Sequence, residues 1–281
     1  MSNHSRDYVL GTHDGERERL KRQHAIWRQD CLEGWHRAGF GTGQRLLDLG
    51  CGPGFATVDL AALVGPAGHV LGIDNASRYV AHLHQLGAEC QLPQLEALNL
   101  NLADPQDWLQ PSVQNILPAD HWHGAWFRWL AMFLPNLAPL LDLVCQGLRS
   151  GGRLVLHEYV RWDTFTLRPN GVATDRFVQR CSTYWRSLGG DPDVASRLPA
   201  LLEQRGLQLL ECRSLMACSS NNQPKALWLQ DFLHCYPASL QAVGMWSAAD
   251  QQELEAELSQ AAARPSLWIT PALLEMIWHK P

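Results

Sequence analysis

Leu47-Asp48-Leu49-Gly50-Cys51-Gly52-Pro53-Gly54 joins a short apolar run to a helical one through three glycines. Before it, Arg45-Leu46-Leu47-Asp48-Leu49 is too short for a helix and too uniformly apolar for a half-exposed strand. It therefore suits a buried parallel strand. After it, Phe55 to Val64 has helical spacing and closes at Gly65-Pro66-Ala67-Gly68. The same alternation repeats downstream. His69 to Asp74 is a second strand and Ala76 to Leu86 a second helix; Leu95 to Leu102 is a third strand and Ala125 to Phe127 a fourth. A helix over 137–148, a turn at Ser150-Gly151-Gly152 and a fifth strand over Arg153 to Glu158 complete the series. Strand and helix in strict alternation predict an α/β fold, a parallel sheet with helices on both faces.

The glycines let the chain turn sharply at the strand end and let a ligand approach the main chain without meeting a Cβ. Amides at the following helix start add hydrogen-bond donors. One strand later, Asp74 stands where a carboxylate accepts from the hydroxyls of a ribose. Together these features predict a nucleoside-bearing cofactor at the carboxyl edge of the sheet. A dinucleotide and S-adenosylmethionine compete for that place. The dinucleotide fingerprint is G-x-G-x-x-G, but here the glycines fall as G-x-G-x-G, with Phe55 where the last would stand. Asp48 would repel a pyrophosphate and attract the ammonium of a methionine moiety. The loop thus favours S-adenosylmethionine, with S-adenosylhomocysteine as product, over NAD or FAD.

Leu47 to Gly54, with Asp74-Asn75 ending the next strand, resembles motif I and its acidic partner in the class I S-adenosylmethionine-dependent methyltransferases. Tyr8-Val9-Leu10-Gly11, followed by Glu18-Arg19-Leu20 and Gln23, is similar to the opening of the bacterial small-molecule branch near the ubiquinone/menaquinone-type enzymes. The resemblance runs from Tyr8 to about Tyr159. It implies a Rossmann-like, doubly wound, mostly parallel seven-stranded sheet. It also implies that Asp48, Gly50, Gly52 and Gly54 line the methionine and ribose end, that Asp74 holds the ribose, and that Asn75 lies beside the adenine. The adenine-binding pair on the third strand aligns best with Asn101-Leu102, where Asn departs from the usual Asp and Asp104 is a rival. Arg128-Trp129 resembles the segment facing the methyl group, and Tyr8 and Gln23 are implied to close over the methionine carboxylate.

Residues 1–44 read as a polar entry and a helical cap, in which Ile26, Trp27, Cys31, Leu32 and Trp35 recur at helical spacing. Residues 45–160 form the cofactor-binding core. Residues 161–281 carry two further strands, Leu207 to Met216 and Ala272 to Trp278, with helical substrate-cover insertions at about 161–194 and 217–270. A helix is expected at 198–204, before the first of these strands, and cover helices at 225–240 and 248–263. Among twelve tryptophans, Trp27, Trp35, Trp129, Trp162 and Trp185 fall in segments expected near the pocket mouth, which hints at a hydrophobic or aromatic acceptor. Methyl transfer needs a general base only when the acceptor must lose a proton, and His157 and Tyr159, at the end of the fifth strand, are the candidates. The His121-Trp122-His123 cluster with His157-Glu158 fixes no third metal ligand by spacing, so no metal is expected.

With 46% hydrophobic and 18% charged residues the chain can bury a large core. A formal net charge of -5 and the lack of a basic tail argue against nucleic acid as a partner. Eight scattered cysteines, a polar start without an apolar leader core, and no apolar run long enough to span a bilayer predict a cytoplasmic protein, monomer or homodimer. The function these features support is methyl transfer to a small molecule. A macromolecular methyltransferase and a non-catalytic domain that binds S-adenosylmethionine or a partner stay as alternatives.

Overall fold

The computed structural model describes residues 14–281. It opens with α1 (Asp14–Arg37), whose first turn carries Asp14 and Glu16 and whose last carries His36 and Arg37, charges that complement the helix dipole. The alternating series follows as β1 (Arg45–Leu49), α2 (Phe55–Val64), β2 (His69–Asp74), α3 (Ser77–Glu89) and β3 (Leu95–Asn99). Two short helices, α4 (Pro105–Trp108) and α5 (Pro111–Ile116), lead to β4 (Trp122–Arg128), α6 (Ala138–Gly147) and β5 (Leu148–Arg161). The remainder holds β6 (Thr166–Arg168), α7 (Val172–Ser187), α8 (Leu198–Glu203), β7 (Gln208–Ser214), β8 (Cys218–Ser220), α9 (Pro224–Cys235), α10 (Pro237–Ala242), α11 (Ala248–Ala262), β9 (Leu267–Ile269) and β10 (Ala272–His279).

Seven strands form the main sheet in the order β3-β2-β1-β4-β5-β10-β7. β1 to β5 run parallel, and β10 is antiparallel to both of its neighbours. The order reverses between β1 and β4, which opens a crevice at their carboxyl ends where this class of sheet binds ligands. Successive residues of a strand point to opposite faces, and each face has its own core. Leu46, Val70, Trp126 and Val155 pack with Leu60, Leu83 and Trp35 from α2, α3 and α1. Leu47, Leu71, Phe127 and Leu156 pack with Leu140, Leu141 and Val144 of α6 on the other side. Helices therefore cover both faces.

The expected turn at 150–152 is a bulge inside a longer β5: the pairing register with β4 shifts there, and Gly151 takes φ +78. The cover departs further from expectation. It is helical only in part, because β6, β9 and β8 pair antiparallel into a separate three-stranded sheet. The helix expected over 225–240 is broken into α9 and α10, where Pro237 restarts the chain after Tyr236. Among the described residues no helix is long and apolar enough to cross a membrane.

Candidate active site

The carboxyl ends of β1 and β2 are tied together by the glycine loop. The amides of Gly50 and Cys51 both donate to the carbonyl of Ile73. Gly50 has φ +67 and Gly54 φ +92, backbone conformations that a side chain rarely adopts. A Cβ on Gly50 would meet Leu130, and one on Gly54 would meet Leu83 of α3. Asp74 accepts from the amide of Gly52 at 2.9 Å and from that of Ala76 at 2.8 Å, so its carboxylate already braces the loop. Burial raises its pKa against the pull of those amides. Asp48, 2% exposed, accepts from the Thr57 hydroxyl at 2.7 Å, and burial pushes its pKa up to about 7.

A cavity of about 950 Å³ opens over this edge. Asp48, Gly50, Gly52, Asp74, Asn75, Asn101, Leu102, Arg128 and Gln23 all line it, from residues spread across more than 100 positions of the sequence. Asn101 and Asp104 both reach it, so neither displaces the other. Asn101 Oδ1 accepts from the Ala103 amide, and Asp104 Oδ1 caps α4 through the Gln106 amide. Gly54 does not line the cavity. A Cβ there would run into Leu83, so this glycine lets α3 pack close to the loop. Tyr8 lies outside the described residues.

The charge pattern of the lining tests the cofactor. It holds the carboxylates of Asp48, Asp74, Asp104 and Asp107 and, among the described residues, a single strong cation, Arg128. A pyrophosphate would meet net negative charge there. S-adenosylmethionine, with a sulfonium, an ammonium and one carboxylate around a neutral nucleoside, matches that balance. The residues present fit it.

A second, narrow pocket of about 50 Å³ adjoins the first and shares Gln23, Trp129 and Phe133 with it. Its other walls are Met132, Tyr159, Trp162, Phe165, Trp185, Trp228, Leu229 and Phe232, with Arg19 beside Gln23. Trp129 is the dividing wall. Its ring stacks on Trp228 at 5.4 Å and on Tyr159 at 5.8 Å, with Trp27 edge-on behind both indoles. The backbone at Trp129 is left-handed, φ +52, a costly state for a bulky residue. It is held from both sides: the Trp129 amide donates to the His157 carbonyl, and Glu158 Oε1 accepts from the amides of Leu130 and Ala131 at 2.7 and 2.8 Å. Burial pushes Glu158 up to about 8, so it carries a proton over most of the neutral range.

Tyr159 lines this second pocket, whereas His157 lines neither cavity. His157 is fully buried, and its Nε2 lies 2.7 Å from Glu275 Oε2. Burial would raise the Glu275 pKa, but bonds from His157 and Arg213 hold it down to about 2, with Arg37 also on the carboxylate. His157 is thus a buried member of an ion cluster with Glu275, away from both cavities. Its counterpart in the metal reading is equally separated. His123 sits at the start of β4 with Nδ1 accepting from the Arg45 amide, whereas His157 pairs with Arg128 at the far end of that strand. Sequence reasoning missed Trp228 and Phe232. Their spacing on one face of a helix, with Leu229 between, was the available signal.

Comparison with known proteins agrees with this geometry. A family model described as a methyltransferase domain matches residues 41–205, more than half of the chain. Trans-aconitate 2-methyltransferase of Methylobacterium radiotolerans is 30% identical over 161 residues, 56% of this chain and 52% of that protein. The match to the demethylmenaquinone methyltransferase of Lactococcus lactis is 45% over 53 residues, 19% of this chain and 20% of that one. The chain thus spans about half, or less, of the curated relatives it matches. A crystal structure of a candidate methyltransferase from Bacillus halodurans C-125 superposes with a TM-score of 0.59 at 15% identity, covering 90% of this chain and 99% of that one, which shows the shared fold. The glycine edge, the acidic residue one strand over and the matched family model converge: this chain belongs to the methyltransferase-domain family.

Proposed function

We propose that the chain transfers the methyl group of S-adenosylmethionine to a small, largely apolar acceptor with a flat or aromatic portion. The observation that carries this reading is the adjacency of the two cavities: a polar one that fits the cofactor shares Gln23, Trp129 and Phe133 with a narrow one walled mainly by rings. When bound, S-adenosylmethionine supplies a methyl carbon made electrophilic by its sulfonium. The chain's own residues bind and align. Asp74 accepts from the ribose hydroxyls, Asn75 and Asn101-Leu102 flank the adenine, and Asp48 takes the ammonium. The aromatic pocket excludes water and fixes the line of approach, the main contribution a protein can make to a displacement at an activated carbon. Tyr159, on the pocket wall, is the polar side chain we assign to orient the acceptor.

This reading sets the acceptor apart from the one named for the trans-aconitate 2-methyltransferase relative. Trans-aconitate is a polycarboxylate. Here the guanidinium of Arg19 is already paired with Glu16 through two bonds of 2.8 and 2.7 Å, and apart from Gln23 and the Tyr159 hydroxyl the rest of the wall is mainly rings and aliphatic side chains. Seating a polyanion there would cost far more than the pocket returns. The test is incubation with methyl-labelled S-adenosylmethionine and a panel of phenolic, indolic and isoprenoid acceptors beside polycarboxylates. Label in an apolar acceptor, with release of S-adenosylhomocysteine, is expected. Label confined to polycarboxylates would contradict the reading.

A further inference from the structure

His121 and His123 flank Trp122 where β4 begins, at the sheet edge opposite the glycine loop and a strand's length, roughly 15 Å, away from it. The proposed transfer does not use them. Arg45, the first residue of β1, ties itself to both. Its amide donates to His123 Nδ1 at 3.2 Å, and its Nε donates to the His121 carbonyl at 3.4 Å. Because Nδ1 of His123 accepts, the ring proton sits on Nε2, a donor on the side turned from β1. Arg45 is exposed and both histidines are half-buried, so the corner is open to solvent.

The β5 bulge brings a fourth basic group to the same place. β4 advances from Trp122 to Gly124 while β5 runs from Leu148 to Arg153, so Arg149, Ser150 and Gly151 stand out of the sheet, all exposed. Bulges re-aim side chains, and this one carries Arg149 to the histidines. Burial lowers the pKa of His123, and the charges of Arg149, Arg45 and His121 lower it further; burial, then Arg45 and His69, do the same to His121. The carboxylates at this edge are engaged: Asp120 with Lys280 at 2.8 Å, and Glu96 with His69 at 3.4 Å. Four groups that repel one another therefore meet at one corner of a chain whose net charge is -5. An anion between them would turn that repulsion into attraction.

We propose that this corner is a second ligand site, which takes a tetrahedral dianion, a phosphate or sulfate group free or carried by a small molecule. Arg45 and Arg149 supply the permanent charge, and a guanidinium matches the oxygen spacing of such a group. His121 and His123 supply ring N–H donors and take up charge as the anion arrives. A compact dianion fits better than a nucleic acid, since two arginines and two histidines neutralise a few phosphate charges at most and the rest of the chain repels a long polyanion. The inference depends on neither the cofactor nor the acceptor reading.

The test is calorimetry of the full chain with inorganic phosphate and with sulfate, at constant ionic strength so that screening does not change. Saturable binding of one ion per chain is expected. Sulfate keeps both charges across the neutral range, so any pH dependence of its binding belongs to the protein. Protonated His121 and His123 favour the anion, so sulfate should bind about tenfold tighter near pH 6 than near pH 7.5. Of the other groups at this edge, His69 faces Glu96 and Lys280 is spent on Asp120. Arg45→Gln and Arg149→Gln should each weaken sulfate by about five- to tenfold. The double variant His121→Gln, His123→Gln should cut the pH dependence to less than about twofold, and S-adenosylhomocysteine affinity should stay within about twofold in every variant. No saturable binding by the wild type, affinity unchanged in both arginine variants, or full pH dependence in the histidine variant would overturn the proposal. So would a single-stranded oligonucleotide that binds more than about a hundredfold tighter than phosphate and is lost steeply with salt, which would mark an extended polyanion surface.

Discussion

The larger cavity is walled by main-chain turns and carboxylates at the ends of parallel strands, whereas the smaller is walled by rings that come from β5, α7, α9 and the loop after β4. The first is built from local sequence: a glycine turn, one acidic residue per strand end, and a helix that starts where the turn stops. The second exists only after distant segments have converged. The contrast teaches how the two halves of a transfer site divide their work. On the proposed function, a constant cofactor is gripped by backbone and fixed charge, and the acceptor is selected by a shape that side chains can alter without touching the grip. Trp129 belongs to both, which explains why its strained backbone is braced by Glu158 and by the carbonyl of His157.

That division can be broken experimentally. The largest effect is expected at Phe165, a ring 1% exposed on the smaller pocket. Phe165→Ala should cost about 3–5 kcal/mol of stability in urea unfolding, as large-to-small changes in packed cores do, while the folded fraction binds S-adenosylhomocysteine within about twofold of wild type. Asp74→Ala inverts the pattern. It removes the proposed ribose contact and the brace on Gly52 and Ala76, so affinity should fall about 100-fold, near 2.7 kcal/mol. A smaller loss is expected from His157→Phe, which sits under the sheet: about 1–2 kcal/mol of stability by denaturant titration, with methyl transfer retained. Lost turnover in a folded His157→Phe protein would return that residue to the chemistry.

The smallest effect is a pH dependence. Asp48 has a pKa of about 7 without ligand, and an ammonium beside it favours the ionised form. Above that pH the carboxylate is already charged and affinity is at its plateau. Below it, binding must expel a proton, so affinity should fall as pH drops, by at most about tenfold per unit, or 1.4 kcal/mol. Calorimetry in buffers of different ionisation enthalpy will register the released proton.

Much of this molecule was legible before its structure. The bounds of β1, α2 and β2 match the sequence reading residue for residue, because apolar runs and glycine stops are local signals. The strands β6, β8 and β9 were not legible. Each is three residues long, too short for any period, and their pairing joins Thr166 to Ile269 and Cys218 to the same residue. The surroundings of His157 were hidden for a related reason. Its place on the fifth strand was visible, but that strand runs on to Arg161, and its partner Glu275 lies across an antiparallel register that only the fold creates. Gly54 looked like its neighbours in the loop, and only the approach of Leu83 shows what it is for.

The most direct test of the whole account is a crystal structure of the chain with S-adenosylhomocysteine. The account predicts both ribose hydroxyls within hydrogen-bond reach of Asp74 and the sulfur facing Trp129 and the aromatic pocket. A nucleoside bound away from the glycine loop, or a sulfur turned from that pocket, would contradict it.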